Sequence, residues 1–198
     1  MRDASCFVTE ILALIAARGH EHYEERVSQV EHAVQCALLA VAHAAPDTLV
    51  AAGLLHDIGH LVNGESENDA WRRGLDLRHE ASGAALLRGW FPAEVVAPIA
   101  LHVRAKRYLV SVDREYAARL SPASQRSLSL QGGAFAPDER VAFESLPFAD
   151  AAVKLRRWDD DAKREGLALP DVATFAPILH RALAGIRSPE EGRSFPGS

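Results

Sequence analysis

With 198 residues, of which 48% are hydrophobic and 25% charged, the chain has the size and balance of one soluble globular domain. A net charge of -5 argues against a general nucleic-acid binder but leaves room for a basic pocket around a small anion. Two cysteines, Cys6 and Cys36, exclude a disulfide scaffold or paired-cysteine metal site; the apolar run Phe7 to Ala17 is too short for a membrane span and lacks a cleavage site, so a reducing cytoplasm is expected.

Taken in order, the chain reads as all-α: one domain over 1–198, with its core at about 25–183 and a loose tail over 187–198. Phe7, Val8, Ile11, Leu12, Leu14 and Ile15 follow helical spacing, and Gly19 supplies a stop. Ser28-Gln29-Val30-Glu31 is a capping box that opens a second helix, which Pro46 closes. Asp47 is expected to cap a third helix running into His56 and Asp57. Residues 63–78 read mainly as loop, followed by helices at about His79 to Trp90 and Ala93 to Val110, the latter with Pro98 as a kink or a true start. Ser121 to Pro137 is expected to be an ordered loop with a short helix, before helices at about Phe148 to Glu165 and Thr174 to Ile186. No repeat and no convincing strand alternation is present.

Within Leu54-Leu55-His56-Asp57-Ile58-Gly59-His60, a histidine sits beside an aspartate at the end of a buried helix. An imidazole gives one good metal bond, and a carboxylate can bridge two cations. Among nine histidines, His32 lies on the helix side shared with Cys36 and Leu39, His79 opens a helix after the polar loop, and His102 sits in an apolar segment. Asp159 follows Arg156, Arg157 and Trp158. Each has an ordinary structural reading: a helix cap, a hydrogen-bonded core histidine, a solvated charge. Together His32, His56, Asp57, His79, His102 and Asp159 supply four imidazoles and two carboxylates, enough for two metal ions with one carboxylate bridging. Cys36, one turn beyond His32, reads as core.

The order H…HD…H…H…D resembles the HD-domain superfamily in its dinuclear branch. VSQVEHAVQCALLA, LVAAGLLHDIGHL, RHEASGAALL, LHVRAKRYL, RLSPASQRSLSLQGGAF and AVKLRRWDDDAK resemble the phosphonate-degrading mixed-valent diiron oxygenases of that branch, over roughly residues 25–183. The resemblance implies two iron ions, Fe(II) and Fe(III), held by His32, His56, Asp57, His79, His102 and Asp159, with Asp57 as the bridge. It implies a phosphonate surrounded by His60, Lys106, Ser124, Ser127, Gln131 and Arg156. Spacing agrees, since His60 lies four residues after His56, Lys106 four after His102 and Arg156 three before Asp159, each on its ligand's helix face.

A carbon–phosphorus bond lacks the leaving-group oxygen of a phosphate ester, so oxidising the carbon is the way to break it. The implied reaction uses O2 to convert a 1-hydroxyphosphonate, 2-amino-1-hydroxyethylphosphonate or its trimethylammonio analogue, to a carboxylate (glycine or glycine betaine) and inorganic phosphate. Family members often carry Tyr-x-x-Glu ahead of the first ligand, the tyrosine capping an open iron position and the glutamate meeting the amine. Here Glu25 lies seven residues before His32 and fits the glutamate position, while strict register puts His22 where tyrosine is expected and a one-residue shift restores Tyr23. If neither Tyr23 nor Glu25 reaches the site, a smaller hydroxyphosphonate fits instead. Three other functions compete: a metal-dependent phosphohydrolase of phosphomonoesters or nucleotides, a non-catalytic phosphonate sensor, and a cyclic-polyol dioxygenase.

Overall fold

The computed structural model describes residues 3–20, 27–62 and 73–183. Among them are eleven α-helices and no strand, in keeping with the all-α expectation. They are α1 Ala4–Arg18, α2 Gln29–Ala42, α3 Asp47–Leu55, α4 Ile58–Val62, α5 His79–Leu87, α6 Ala93–Val112, α7 Arg114–Arg119, α8 Pro122–Leu130, α9 Pro137–Glu144, α10 Ala149–Asp161 and, after a 3-10 turn at Val172–Phe175, α11 Ala176–Leu183.

The capping box forms as read: the Ser28 N–H donates to Glu31 Oε2 at 2.7 Å, and the Glu31 N–H donates to Ser28 Oγ at 3.4 Å. Gly19 does end α1, but for a different reason than a left-handed turn, since its φ is -75°. A Cβ there would stand 2.8 Å from the Val30 Cβ, so glycine is needed where α1 meets the start of α2. Asp47 does not cap α3. Pro46 holds that position, and the Asp47 carboxylate instead accepts from Arg181 of α11 at 2.6 and 3.2 Å. The helix from His79 stops at Leu87, short of Trp90. Conversely, α6 runs unbroken past Pro98, which lies early enough to cost only the one ladder bond to the Glu94 carbonyl. Two short helices escaped the sequence: α7, opened by the Asp113 carboxylate accepting from the Tyr116 N–H at 2.9 Å, and α9, where Glu139 caps the Ala136 N–H at 2.9 Å. The tail and residues 63–72 lie outside the described residues.

One continuous core joins α1, α2, α3, α5, α6, α10 and α11, with Leu55, Leu87, Ile99, Leu155 and Leu179 fully buried. Each such side chain contributes about 1.5–3 kcal/mol relative to exposure. Small residues let the central helices approach: Cys36, Ala37, Ala51, Ala52 and Gly53 line the contact of α2 with α3, where a Cβ on Gly53 would meet the Cys36 carbonyl at 3.3 Å. Ala105 and Ala152 do the same between α6 and α10. These four central helices or their ends carry five of the six candidate metal ligands, and α5 carries the sixth. No described helix is long and apolar enough to cross a membrane.

Candidate metal centre

His56 and Asp57 form the turn between α3 and α4, so their side chains leave the helix end together and point inward. His32 comes from the first turn of α2, His79 from the first residue of α5, His102 from the middle of α6 and Asp159 from the last turn of α10. Gly59 sets the spacing of two of these elements. A Cβ on it would lie 1.9 Å from the His79 carbonyl oxygen and 2.8 Å from Ser82 Oγ, so α4 and α5 touch backbone to backbone only because residue 59 has no side chain.

The six predicted ligands converge, and they fall into two clusters on either side of Asp57. On one side, His32 Nε2 lies 3.2 Å from His56 Nε2; both face Asp57 Oδ2, at 3.5 and 3.4 Å, and Asp159, at 3.4 and 3.8 Å. On the other, His79 Nε2 lies 3.1 Å from His102 Nε2, and both face Asp57 Oδ1, at 3.5 and 3.7 Å. Asp57 thus gives one oxygen to each cluster. His60 joins the second, with Nε2 3.9 Å from Asp57 Oδ1 and its ring stacked on His79 at 3.9 Å between centroids.

The tautomers decide what such a cluster can hold. The Nδ1–H of His32 donates to the Ala162 carbonyl at 2.9 Å, that of His56 to the Gly53 carbonyl at 2.9 Å and that of His102 to the Ile99 carbonyl at 2.7 Å. A carbonyl can only accept, so a neutral ring bound this way turns its Nε2 lone pair toward the centre. Burial opposes a charge on His56, but the Asp57 carboxylate outweighs burial and holds His56 well above the usual imidazole range, so the His56 Nε2 carries a proton toward His32 Nε2 and the carboxylates, a place that a bound cation would take over. Burial pushes His102 down to about 4, the charges of His56 and Arg156 adding to the effect, and holds His79 well below the usual imidazole range. Burial alone would raise Asp57, but the neighbouring histidines outweigh it and keep the carboxyl well below its ordinary range. Once His56 gives up its proton, neutral imidazoles face ionised carboxylates, the state a divalent or trivalent metal requires, and that donor set fits two such ions. Cys36 is buried in the core behind His56, with its thiol pushed up by burial, as expected of a packing residue.

Beyond the clusters lies a cationic end. Lys106 is buried, and Nζ donates to Ser127 Oγ at 2.9 Å. Arg156, also buried, donates from Nη1 to Asp159 Oδ2 at 2.6 Å and from Nη2 to Ser124 Oγ at 3.4 Å. The structure therefore brings together Lys106, Ser124, Ser127 and Arg156, while His60 stays beside His79 and Asp57. Gln131 sits apart, half-buried at the end of α8, its Oε1 without a hydrogen bond; it lines a cavity of ≈ 530 Å³ with Arg78, Glu80 and Arg104. Tyr23 and Glu25, with His22, lie outside the described residues.

Three residues that matter here were missed. Asp160 accepts from Arg156 through both carboxylate oxygens, at 2.9 Å from Nε and closer still from Nη2. Tyr116 donates to Asp160 Oδ2 at 2.5 Å and accepts from Arg156 Nε at 3.1 Å, which fixes the guanidinium plane. Lys163 Nζ reaches Ser124 Oγ at 3.2 Å. The signal for Asp160 was its position four residues after Arg156; Tyr116 is 40 residues away and left no local trace.

Comparison with known proteins agrees with this geometry. Residues 29–126 match the HD domain family. The chain is 45% identical over 168 residues to the hydroxymethylphosphonate dioxygenase of Gimesia maris, covering 85% of this chain and 84% of that protein. It is 38% identical over 165 residues to the glycine-betaine-forming [1-hydroxy-2-(trimethylamino)ethyl]phosphonate dioxygenase of Leisingera caerulea, covering 83% and 84%. It is also 35% identical over 148 residues to an uncharacterised protein of Acanthamoeba polyphaga mimivirus, covering 73% and 67%.

Proposed function

The chain belongs to the HD-domain family, on the branch of the hydroxyphosphonate dioxygenases, and from this premise we propose that it is an oxygenase that cleaves the C–P bond of a 1-hydroxyphosphonate to a carboxylate and inorganic phosphate. The ligands we assign are His32, His56 and Asp159 with Asp57 for one ion, and His79 and His102 with Asp57 for the other. When bound, two iron ions in the Fe(II)/Fe(III) state would supply Lewis acidity and the activation of O2.

The chain's own residues do the placing. Lys106 and Arg156 take the phosphonate oxygens, with Ser124, Ser127 and His60 as further contacts, and so hold C1 and its hydroxyl against the two clusters. Arg156 also donates to Asp159, so the group that anchors the substrate is tied to a ligand of the first cluster. In the overall reaction the C–P bond and the C1–H bond break, C1 ends as a carboxyl carbon, and one molecule of O2 supplies the two added oxygen atoms. The observation that carries this proposal is Lys106. A buried ammonium that donates to a neutral hydroxyl is costly without an anion beside it, and a phosphonate dianion is such an anion. Gln131 and Glu25 are proposed as outer contacts, Glu25 toward a cationic amine when the substrate has one, and Tyr23 as a group capping the open iron position.

The test is phosphate release by iron-loaded protein, with and without O2, from three compounds: hydroxymethylphosphonate, 2-amino-1-hydroxyethylphosphonate and its trimethylammonio analogue. The two named relatives make the first and third the compounds to try earliest. O2-dependent phosphate with formate, glycine or glycine betaine as co-product is the expected result and identifies the substrate. Phosphate released only from phosphomonoesters, and without O2, would overturn it.

A further inference from the structure

The chain leaves α10 through Ala162, Lys163 and Arg164, and three hydrogen bonds strap this segment to α2. His32 Nδ1 donates to the Ala162 carbonyl at 2.9 Å, Gln35 Nε2 donates to the Arg164 carbonyl at 2.9 Å, and the Arg164 N–H donates to Gln35 Oε1 at 3.0 Å. All three engage the strap's backbone. The side chain of Lys163, between two anchored residues, extends instead to the start of α8, with Nζ 3.2 Å from Ser124 Oγ and 3.4 Å from Ser121 Oγ.

Ser124 is buried, and its hydroxyl oxygen also accepts from Arg156 Nη2 at 3.4 Å. A hydroxyl has two lone pairs and one proton. With an ammonium and a guanidinium both donating to the oxygen, the proton is all it has left to offer, and a proton flanked by two cations suits an anion. Ser127 differs: its oxygen accepts from Lys106 at 2.9 Å, but its hydroxyl donates to the Ser124 carbonyl at 3.2 Å, so Ser124 is the serine with a proton to offer.

We infer that Lys163 is a positioning residue of the phosphonate end: it fixes Ser124 as a hydrogen-bond donor to the substrate's phosphonate, and Gln35 holds the strap that presents it. The inference rests on the phosphonate end proposed above. It also makes the strap a shared support, because one short segment carries both the carbonyl that orients His32 and the ammonium that orients Ser124.

The experiment is calorimetric binding of inorganic phosphate to the iron-loaded protein, alongside steady-state turnover, for wild type, Lys163→Gln, Lys163→Arg, Ser124→Ala and the double variant Lys163→Gln/Ser124→Ala. Lys163→Gln is expected to raise the phosphate Kd and the substrate KM by about tenfold with kcat within about twofold, as for loss of a charge-assisted contact. Iron content and Tm should be unchanged, and Lys163→Arg should restore most of the affinity. In the Ser124→Ala background the Lys163 substitution should have little further effect, which a merely structural lysine would not produce. Unchanged phosphate affinity in Lys163→Gln, or an undiminished effect of that change without the Ser124 hydroxyl, would overturn the inference while leaving the phosphonate end intact. Failure of the wild type itself to bind phosphate would remove both.

Discussion

Lys106 offers the most direct test of the anion pocket. Burial, with the charge of Arg156 adding to it, lowers this ammonium from 10.5 to about 7, which at about 1.36 kcal/mol per pH unit is about 5 kcal/mol against the cation. The sign follows from the depressed value. In the anion-free protein Lys106 is charged below about 7 and neutral above it, whereas in the unfolded chain it stays charged to about 10.5. Its cost to folding is therefore full below about 7 and fades as pH rises toward 10.5. A dianion beside the ammonium reverses the preference, so binding above neutrality must draw in a proton. At about pH 8 roughly one molecule in ten carries the cation beforehand, so binding takes up about 0.9 proton, and the phosphate Kd rises about tenfold per pH unit above 7. Calorimetry of inorganic phosphate binding to the iron-loaded protein, in buffers of different ionisation enthalpy, measures both quantities. Lys106→Arg should remove the proton uptake, since a guanidinium stays charged throughout. Affinity that is flat between about pH 7.5 and 9, with no buffer-dependent heat, would show that Lys106 is not the titrating contact.

Three further outcomes are expected. Gly59→Ala places a Cβ 1.9 Å from the His79 carbonyl oxygen, so α4 and α5 must separate by about an ångström; we expect turnover to fall by about 100-fold with the helical circular-dichroism spectrum retained, and full activity with two irons bound would refute the spacing role. Tyr116→Phe removes the hydroxyl between Asp160 and Arg156 and should raise the substrate KM several-fold while Lys106-dependent proton uptake persists; an unchanged KM would make Tyr116 a packing residue only. Removing iron with a chelator should lower Tm by about ten degrees at saturating metal, because ions that bind only the folded centre contribute about 4 kcal/mol at a thousandfold excess over Kd; a Tm indifferent to the chelator would argue against a metal at the clustered histidines.

What could be read from the sequence was whatever is local. The capping box of α2 and the apolar stripe of α1 are sealed by residues three or four apart, and they stand as expected. The candidate ligands were legible because His56 and His102 sat in apolar runs that could not satisfy them locally, and His32 shared a helix side with Cys36 and Leu39. Long-range choices were not legible. Asp47 lost its capping role to a pairing with Arg181, and Pro98 was absorbed by a helix that packs on both sides. The support of Arg156 by Tyr116 and the approach of Lys163 to Ser124 join elements 40 and 39 residues apart, so only the fold reveals them.

The division of donors around Asp57 has a bearing on coordination number. With the ligands proposed above, His32, His56, Asp57 and Asp159 would offer one ion four protein groups, while His79, His102 and Asp57 would offer the other three, with His60 left for substrate. Two histidines and one carboxylate would leave a six-coordinate ion about three open positions, and the other ion would keep about two. The centre is thus lopsided by construction. The ion with fewer ties is the one expected to leave first under a chelator, giving a two-step loss of metal, and the better-held ion would outlast it by the Asp159 carboxylate.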